Sequence, residues 1–511
     1  MSPRFHMRRS AVQWTGLVTG PILAVLVYYS LPETYLDSTG KAVDFTHAGR
    51  VTAAAAVWMA VWWMTEAIPI YATSLLPLAV LPFFRAATMR EAAAPYAHEL
   101  IYLFAGGFII ALSMERWGLH RRFAFGALRI VGTKPHRIVG GFMLATAIMS
   151  MWVSNTATTI MMLPIALSVI ALVFRTSPRK TMDTIQNFSD ATGPNFALCL
   201  LLGIAYAASI GGIGTLIGTP PNLFLASYIE DQLGREISFV RWMGVGLPLV
   251  VVFLPIVWLL LTRVLYPIRI EQIDGGAALI REGYKELGRM KRGEWMTFMV
   301  FGFAAVSWIV RPLLTKITIG GVRPFGGLTD PGIAMIAALA LFVIPVDRKK
   351  REFVMNWETA VKLPWGILVL FGGGLSLAAA IKNNGVGELI GNQVVGFAGF
   401  PGVVLVLLVT AMMIFLTELT SSTATTATLV PILAAVGPGL GLSPYMLIVP
   451  AAVAASCAFM LPVATPPNAI IFGSGHVRID QMVKAGFWLN LIGILLVTIL
   501  TYAIVIPLLE L

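Results

Sequence analysis

Two short polar clusters stand inside apolar surroundings, Ser154-Asn155-Thr156-Ala157-Thr158-Thr159 and Ser421-Ser422-Thr423-Ala424-Thr425-Thr426. A second duplicated element follows each: Gly218-Thr219-Pro220-Pro221-Asn222 and Ala464-Thr465-Pro466-Pro467-Asn468. These elements offer hydroxyls, amides and backbone carbonyls, and they contain no Lys, Arg or His. Such a donor set suits a hard cation that takes oxygen ligands. Two successive prolines remove two backbone donors and break a helix. The break frees carbonyls for a cation and leaves a half-helix N-terminus for an anion. Ser150 and Ser154 are four apart, which predicts a shared helix face; with Asn155 and the Gly218 carbonyl they form a candidate oxygen cage. The second half offers Thr417, the Thr420 carbonyl, Ser422 and the Ala464 carbonyl. A lone Ser-x-x-x-Ser would read as glue between membrane helices. The doubling of the cluster beside a doubled break is what points to function.

The two clusters are 267 residues apart, and the same offset carries Ser150 onto Thr417, Pro164 onto Pro431, and Leu103-Phe104 onto Leu370-Phe371. It also carries Gly106, Gly107 and Gly118 onto Gly373, Gly374 and Gly385. The Thr-Pro-Pro-Asn elements are offset by 246, so the first half carries extra residues, with Pro178 to Asn195 the obvious insertion. An internal repeat is the natural reading.

The elements that must hold these clusters follow from composition. Of 511 residues, 57% are hydrophobic and only 12% charged, with a mean hydropathy of +0.82. That is about half the charge of a soluble domain, too little to cover a polar surface. A soluble enzyme, a disordered chain and a nucleic-acid-binding domain are excluded; a polytopic helical membrane protein remains. The net charge of +11 reads as basic cytoplasmic loops in a bilayer, with no nucleic-acid partner. Arg4, Arg8 and Arg9 ahead of an apolar run to Leu31 read as a first helix with its basic end inside, since no cleavage site of the A-x-A kind follows.

Candidate spans fall at 11–31, 49–66, 69–85, 98–115, 197–228, 242–266, 294–311, 330–346, 363–381, 446–473 and 484–509. The expected fold is all-α: about 11 transmembrane helices plus two re-entrant hairpins, 136–174 and 397–437, in two inverted repeats. The domains are then 1–48, an N-terminal segment and first helix; 49–266, repeat 1 with broken helix 197–228; 267–293, a cytoplasmic linker; and 294–511, repeat 2 with broken helix 446–473. With the N-terminus in the cytoplasm and the C-terminus outside, 26 of the 36 Lys and Arg fall on the inner side, as such loops require. Inverted repeats with broken helices at the midplane mark secondary transporters.

In combination these motifs resemble the divalent-anion:sodium symporter family, which includes sodium-coupled dicarboxylate and citrate transporters. The resemblance runs from Trp62-Trp63-Met64-Thr65-Glu66-Ala67-Ile68-Pro69, through the clusters at 154–156 and 421–423, to Ser456-Cys457-Ala458-Phe459-Met460-Leu461-Pro462 and the last broken helix. It implies one sodium site at Ser150, Ser154, Asn155 and Gly218, and a second at Thr417, Thr420, Ser422 and Ala464. It implies substrate contacts from Asn155, Thr156, Ser422, Thr423, Thr465 and Pro466, with Thr219 and Pro220 facing them. It also implies a homodimer, elevator-like movement and residence in a bacterial inner membrane, with sodium as the coupling ion and no other cofactor. Ser422 departs from the family, which commonly has Asn there. The expected activity is import of succinate, malate or fumarate with sodium. A sodium-independent dicarboxylate exchanger and a sodium:sulfate or citrate symporter stay open.

Other residues carry less. Glu66 and Glu418 are intramembrane acids; a structural hydrogen-bonding role is preferred, with a proton or cation relay left open, and Glu115 and Lys382 are read as snorkelling at span ends. Gly211-Gly212-Ile213-Gly214 lacks the Gly-Lys-Ser/Thr of a phosphate loop and reads as close helix packing or as flexibility beside the break. Cys199 and Cys457 are core residues, and the Asn187-Phe188-Ser189 sequon lies in a cytoplasmic segment. The six histidines, His6, His47, His98, His120, His136 and His476, form no metal spacing, which argues against an intramembrane enzyme. Two closed polar tips argue against a channel.

Overall fold

The computed structural model describes residues 10–36, 42–131, 134–176, 192–269, 276–319, 321–397 and 399–508. The basic N-terminal arginines, most of the insertion after Pro178, the Asn187 sequon and part of the 267–293 linker lie outside the described residues. The described chain is helical apart from loops and two small antiparallel ribbons: β1 (Thr34–Leu36) pairs with β2 (Ala42–Asp44), and β3 (Pro345–Asp347) with β4 (Glu352–Phe353).

The main helices, in chain order, are α1 (Ala11–Ser30), α2 (His47–Thr65), α3 (Glu99–Trp117) and α4 (Pro135–Ser150). Next come α5 (Asn155–Thr176), α6 (Thr192–Ile213), α7 (Pro220–Leu233) and α8 (Phe239–Leu259). The second half supplies α9 (Arg292–Leu314), α10 (Asp330–Val343), α11 (Trp365–Asn383) and α12 (Gly402–Thr417). It closes with α13 (Ser422–Gly439), α14 (Tyr445–Ala454), α15 (Pro466–Gly473) and α16 (Ile479–Leu500). Seven described helices are long and apolar enough to cross a membrane, and five shorter apolar ones accompany them. The shorter set includes α5, α10, α12 and α14, so about 11 full crossings is more than these helix lengths alone supply.

One expected span is not a single helix. Residues 69–85 form Ile70–Thr73 and Leu76–Phe83, interrupted at Ser74 and Leu75. Pro77 cannot donate to the Thr73 carbonyl four residues back, so the ladder fails there. Ser74 Oγ then donates to the Ile70 carbonyl at 2.8 Å, and the Trp63 indole donates to the same carbonyl at 3.1 Å.

The chain forms two compact units: residues 1–101, 224–236 and 364–455 make unit one, and residues 102–223, 237–363 and 456–511 make unit two. In unit two, α6 is enclosed by protein along its whole apolar window, as a helix apolar on every side must be. It packs against α4, α5, α8 and α15. Small residues permit this: a Cβ on Gly203 would lie 3.0 Å from the Met143 side chain, and one on Gly211 would strike the Ala147 backbone. In unit one, α13 packs against α2, α11 and α14.

Helix ends repeat with the offset of the polar clusters. α4 ends at Ser150 and α12 at Thr417; α5 begins at Asn155 and α13 at Ser422. Gly118 and Gly385, also equivalent, both take left-handed backbone, with φ of 74° and 72°, a conformation glycine adopts without strain.

Candidate functional site

At the tip of the α4–α5 hairpin the chain leaves the helix after Ser150 and re-enters it at Asn155. The expectation that Ser150 and Ser154 share a helix face is therefore corrected. Met151 to Ser154 form the turn, and Ser154 caps α5 by accepting the Ala157 N–H at 3.3 Å. Ser150 is fully buried and donates to the Ala208 carbonyl at 2.7 Å. The Asn155 side-chain amide meets three acceptors: Ser150 Oγ at 2.6 Å, the Ala208 carbonyl at 3.1 Å and the Gly218 carbonyl at 3.3 Å. With its nitrogen inward the amide satisfies them as a donor. With its oxygen inward, four oxygens converge; the single Ser150 hydroxyl hydrogen serves either Asn155 Oδ1 at 2.6 Å or the Ala208 carbonyl, and a cation would compensate the rest. The donor set thus fits a small hard cation. Gly212 makes the room, since a Cβ there would lie 2.6 Å from Asn155 Oδ1. This accounts for the Gly211-Gly212 pair as close packing.

Gly218 and its neighbours occupy the interruption between α6 and α7. Asn222 donates to the carbonyls of Gly212, Ile213 and Thr215 at 3.0, 3.4 and 2.8 Å, and the Trp242 indole donates to the Ile213 carbonyl at 3.0 Å. The second interruption, between α14 and α15, ends at Thr465, whose hydroxyl accepts the Asn468 N–H at 3.4 Å. Asn468 Nδ2 donates to the Leu461 carbonyl at 3.1 Å. Ala464, Thr465 and Pro466 belong to unit two together with Thr219, Pro220 and the first hairpin.

Both proline pairs sit in the first turn of the second half-helix, at 220–221 and 466–467. Proline is tolerated there because that N–H would be unbonded anyway. The expectation of N–H groups for an anion needs refinement for the same reason. These two helix starts have lost the donors of their first two residues. The starts of α5 and α13 have not: Asn155, Thr156, Ser422 and Thr423 all keep their N–H, and the capping serines accept from Ala157 and Ala424.

In unit one, the tip of the α12–α13 hairpin is more closed upon itself. Thr417 is fully buried and donates to the Met413 carbonyl at 2.8 Å. Thr420 Oγ1 lies 2.7 Å from Thr425 Oγ1 and donates to the Leu416 carbonyl at 2.8 Å. The equivalents of Thr420 and Thr425 in the first tip are Val153 and Thr158, so no such clasp forms there, and the buried Thr158 hydroxyl has no hydrogen-bond partner among the described residues. The Ser422 carbonyl accepts Thr426 Oγ1 at 2.7 Å. Ser422 stands where the first tip has the longer Asn155, so its hydroxyl reaches less far than an amide.

Of the acids weighed from sequence, Glu66 is exposed and ends α2 with a φ of 47°. Glu418 is buried at the end of α12. Glu115 is exposed, while Lys382 donates to the Gln232 carbonyl at the end of α7. Sequence reasoning missed the Ala208 carbonyl, because a backbone oxygen in mid-helix leaves no trace in residue type. It also missed Trp152 at the first tip and gave Asn222 and Asn468 no role, although both close a motif already noted.

The family profile described as "Sodium:sulfate symporter transmembrane region" matches residues 41–511. The sodium-dependent dicarboxylate transporter SdcS of Staphylococcus aureus (strain NCTC 8325 / PS 47) is 41% identical over 496 residues, covering 96% of this chain and 91% of that one. The protein of the same name from strain bovine RF122 / ET3-1 matches to the same extent, 41% over 496 residues. Among solved structures, the Alcanivorax borkumensis YdaH transporter has a TM-score of 0.56 at 13% identity and covers 96% of each chain. Neisseria gonorrhoeae MtrF has a TM-score of 0.57 at 13% identity, covering 98% of this chain and 97% of its own. At such identity the likeness is one of fold.

Proposed function

The chain belongs to the sodium:sulfate symporter family, a family of multi-pass membrane transporters and not of enzymes, and on that premise we propose that it imports C4-dicarboxylates, succinate, malate or fumarate, by sodium symport. The observation that carries this reading is the donor set at the first hairpin tip. Ser150 Oγ, Asn155 Oδ1 and the carbonyls of Ala208 and Gly218 would hold one sodium ion. Thr417, Thr420, Ser422 and Ala464 are the second set, with the shorter Ser422 making it the weaker. The N–H groups that open α5 and α13, with the hydroxyls of Thr156 and Thr423, would meet substrate carboxylates, and Thr219, Pro220, Thr465 and Pro466 would complete the contacts.

A dianion in a low-dielectric site needs compensating charge, and the motifs hold no basic side chain. Sodium is then the main counter-charge, helped by the helix N-termini, and binds before the substrate. Dicarboxylate is favoured over sulfate because the 41% identical relatives are named dicarboxylate transporters. The protein is further proposed to be a homodimer in the bacterial inner membrane, with its N-terminus in the cytoplasm, its C-terminus outside, inverted repeats and an elevator-type change of access.

Ser422 favours one second reading, a sodium-independent exchanger. Uptake of labelled succinate into proteoliposomes, with unlabelled malate, citrate and sulfate as competitors, tests both. Competition by malate and none by sulfate fits the main reading. Uptake that needs internal dicarboxylate and ignores sodium selects the exchanger.

A further inference from the structure

The two helix interruptions are tied by the same knot. In the first, the Thr215 carbonyl accepts the Gly218 N–H at 3.4 Å and the Asn222 side chain at 2.8 Å. In the second, the Leu461 carbonyl accepts the Ala464 N–H at 3.2 Å and the Asn468 side chain at 3.1 Å. Thr215, Gly218 and Asn222 each map onto Leu461, Ala464 and Asn468 by the offset of 246. A shared sequence motif does not require a shared hydrogen-bond pattern in the loop ahead of it, so the geometry adds to the repeat.

The chemistry explains why an asparagine follows the prolines. The first helix stops at Ile213 and leaves carbonyls without helical donors. At membrane depth an unmet carbonyl is costly. Pro220 and Pro221 have no N–H to give, so the next residue supplies donors from its side chain. Both asparagine side chains are fully buried, and Oδ1 has no hydrogen-bond partner among the described residues in either. The amide's work at both positions is therefore donation to the preceding loop.

We propose that Asn222 and Asn468 are positioning residues that fix the carbonyls of Gly218 and Ala464 and so set sodium affinity without touching sodium. This rests on the sodium sites read above. Asn222 acts on the Gly218 carbonyl, which faces the Asn155 amide at 3.3 Å; Asn468 does the same for Ala464.

The test is sodium activation of labelled succinate uptake in proteoliposomes. Asn222→Asp keeps the shape and replaces the donor by an acceptor that repels the three carbonyls. The half-saturating sodium concentration should rise about tenfold, the equivalent of one hydrogen bond lost. The succinate KM measured at saturating sodium should stay within about twofold, a split that general damage to the fold would not produce. Asn222→Ser, which keeps one shorter donor, should fall between, and Asn468→Asp should shift sodium dependence in the same direction. A parallel Ser150→Ala variant probes the sodium site itself. If Ser150→Ala raises the sodium requirement and Asn222→Asp and Asn222→Ser do not, the positioning role is wrong. If Ser150→Ala leaves it unchanged, the sodium site is misassigned, and this inference falls with it. Should Asn222→Asp fail to fold, an unshifted Asn222→Ser overturns the proposal alone.

Discussion

The indole of Trp152, at the tip of the first hairpin, lies parallel to that of Trp308 in α9, with 12° between the planes and 6.5 Å between the centroids. Phe239, at the start of α8, stacks on both, at 4.7 Å from Trp308 and 5.8 Å from Trp152. Phe301 meets Trp152 edge-on at 5.1 Å. The turn between Ser150 and Asn155 is thus gripped by aromatic rings from two other helices. Each such pair contributes about 0.5–1.5 kcal/mol beyond its buried area. Trp152→Ala should raise the sodium concentration for half-maximal uptake by roughly tenfold, and Trp152→Phe should restore most of the loss. Equal sodium dependence in all three proteins would show that the stack does not hold the tip.

The far end of that stack is fixed by a buried ion pair. Arg311 Nε lies 2.7 Å from Asp330 Oδ1, with both side chains no more than a tenth exposed. Asp330 Oδ2 accepts the Phe239 N–H at 2.8 Å, and its carbonyl accepts the Trp308 indole at 3.0 Å. Removing one partner strands a buried charge, which costs about 3–5 kcal/mol. Asp330→Asn should lower the thermal unfolding temperature in detergent strongly. Arg311→Met combined with Asp330→Asn should lower it less than the sum of the single changes. Strict additivity would mean that the two side chains do not act as a pair.

Gly212 leaves the space that the Asn155 amide occupies. Gly212→Ala should displace that amide and raise the sodium requirement several-fold, roughly 1 kcal/mol of binding. Gly126→Ala, where nothing lies within 4 Å of an added methyl, serves as the matched control and should transport normally. A Gly212→Ala protein with unaltered sodium dependence would remove Asn155 from the site.

Ser422 stands where the first tip has Asn155. Ser422→Asn restores an amide oxygen at the start of α13. Sodium activation of uptake should become steeper and its midpoint should fall, by about threefold or more if one neutral ligand is gained. An unchanged curve would show that the second tip contributes no sodium ligand through this residue.

Much of this was legible in the sequence for a definite reason. Polar clusters such as Ser154 to Thr159 interrupt apolar runs, and the helices do end at Ser150 and Thr417. The proline pairs mark where α7 and α15 start. What escaped was of two kinds. Spacing rules presume a continuous helix, so they put Ser154 on a face that ceases to exist after Ser150, and they joined 69–85 across Pro77. Backbone atoms carry no residue label, so the Ala208 carbonyl could not be foreseen. The loss of N–H donors at Pro220, Pro221, Pro466 and Pro467 was readable from residue type alone.

Sodium is proposed to supply the charge that the clusters lack. Equilibrium binding of succinate to the purified protein, measured by calorimetry in sodium chloride and in choline chloride at equal ionic strength, tests it most directly. Saturable binding is expected in sodium, with binding at least about a hundredfold weaker in choline, equivalent to roughly 3 kcal/mol. Succinate binding of equal affinity in both buffers would contradict it.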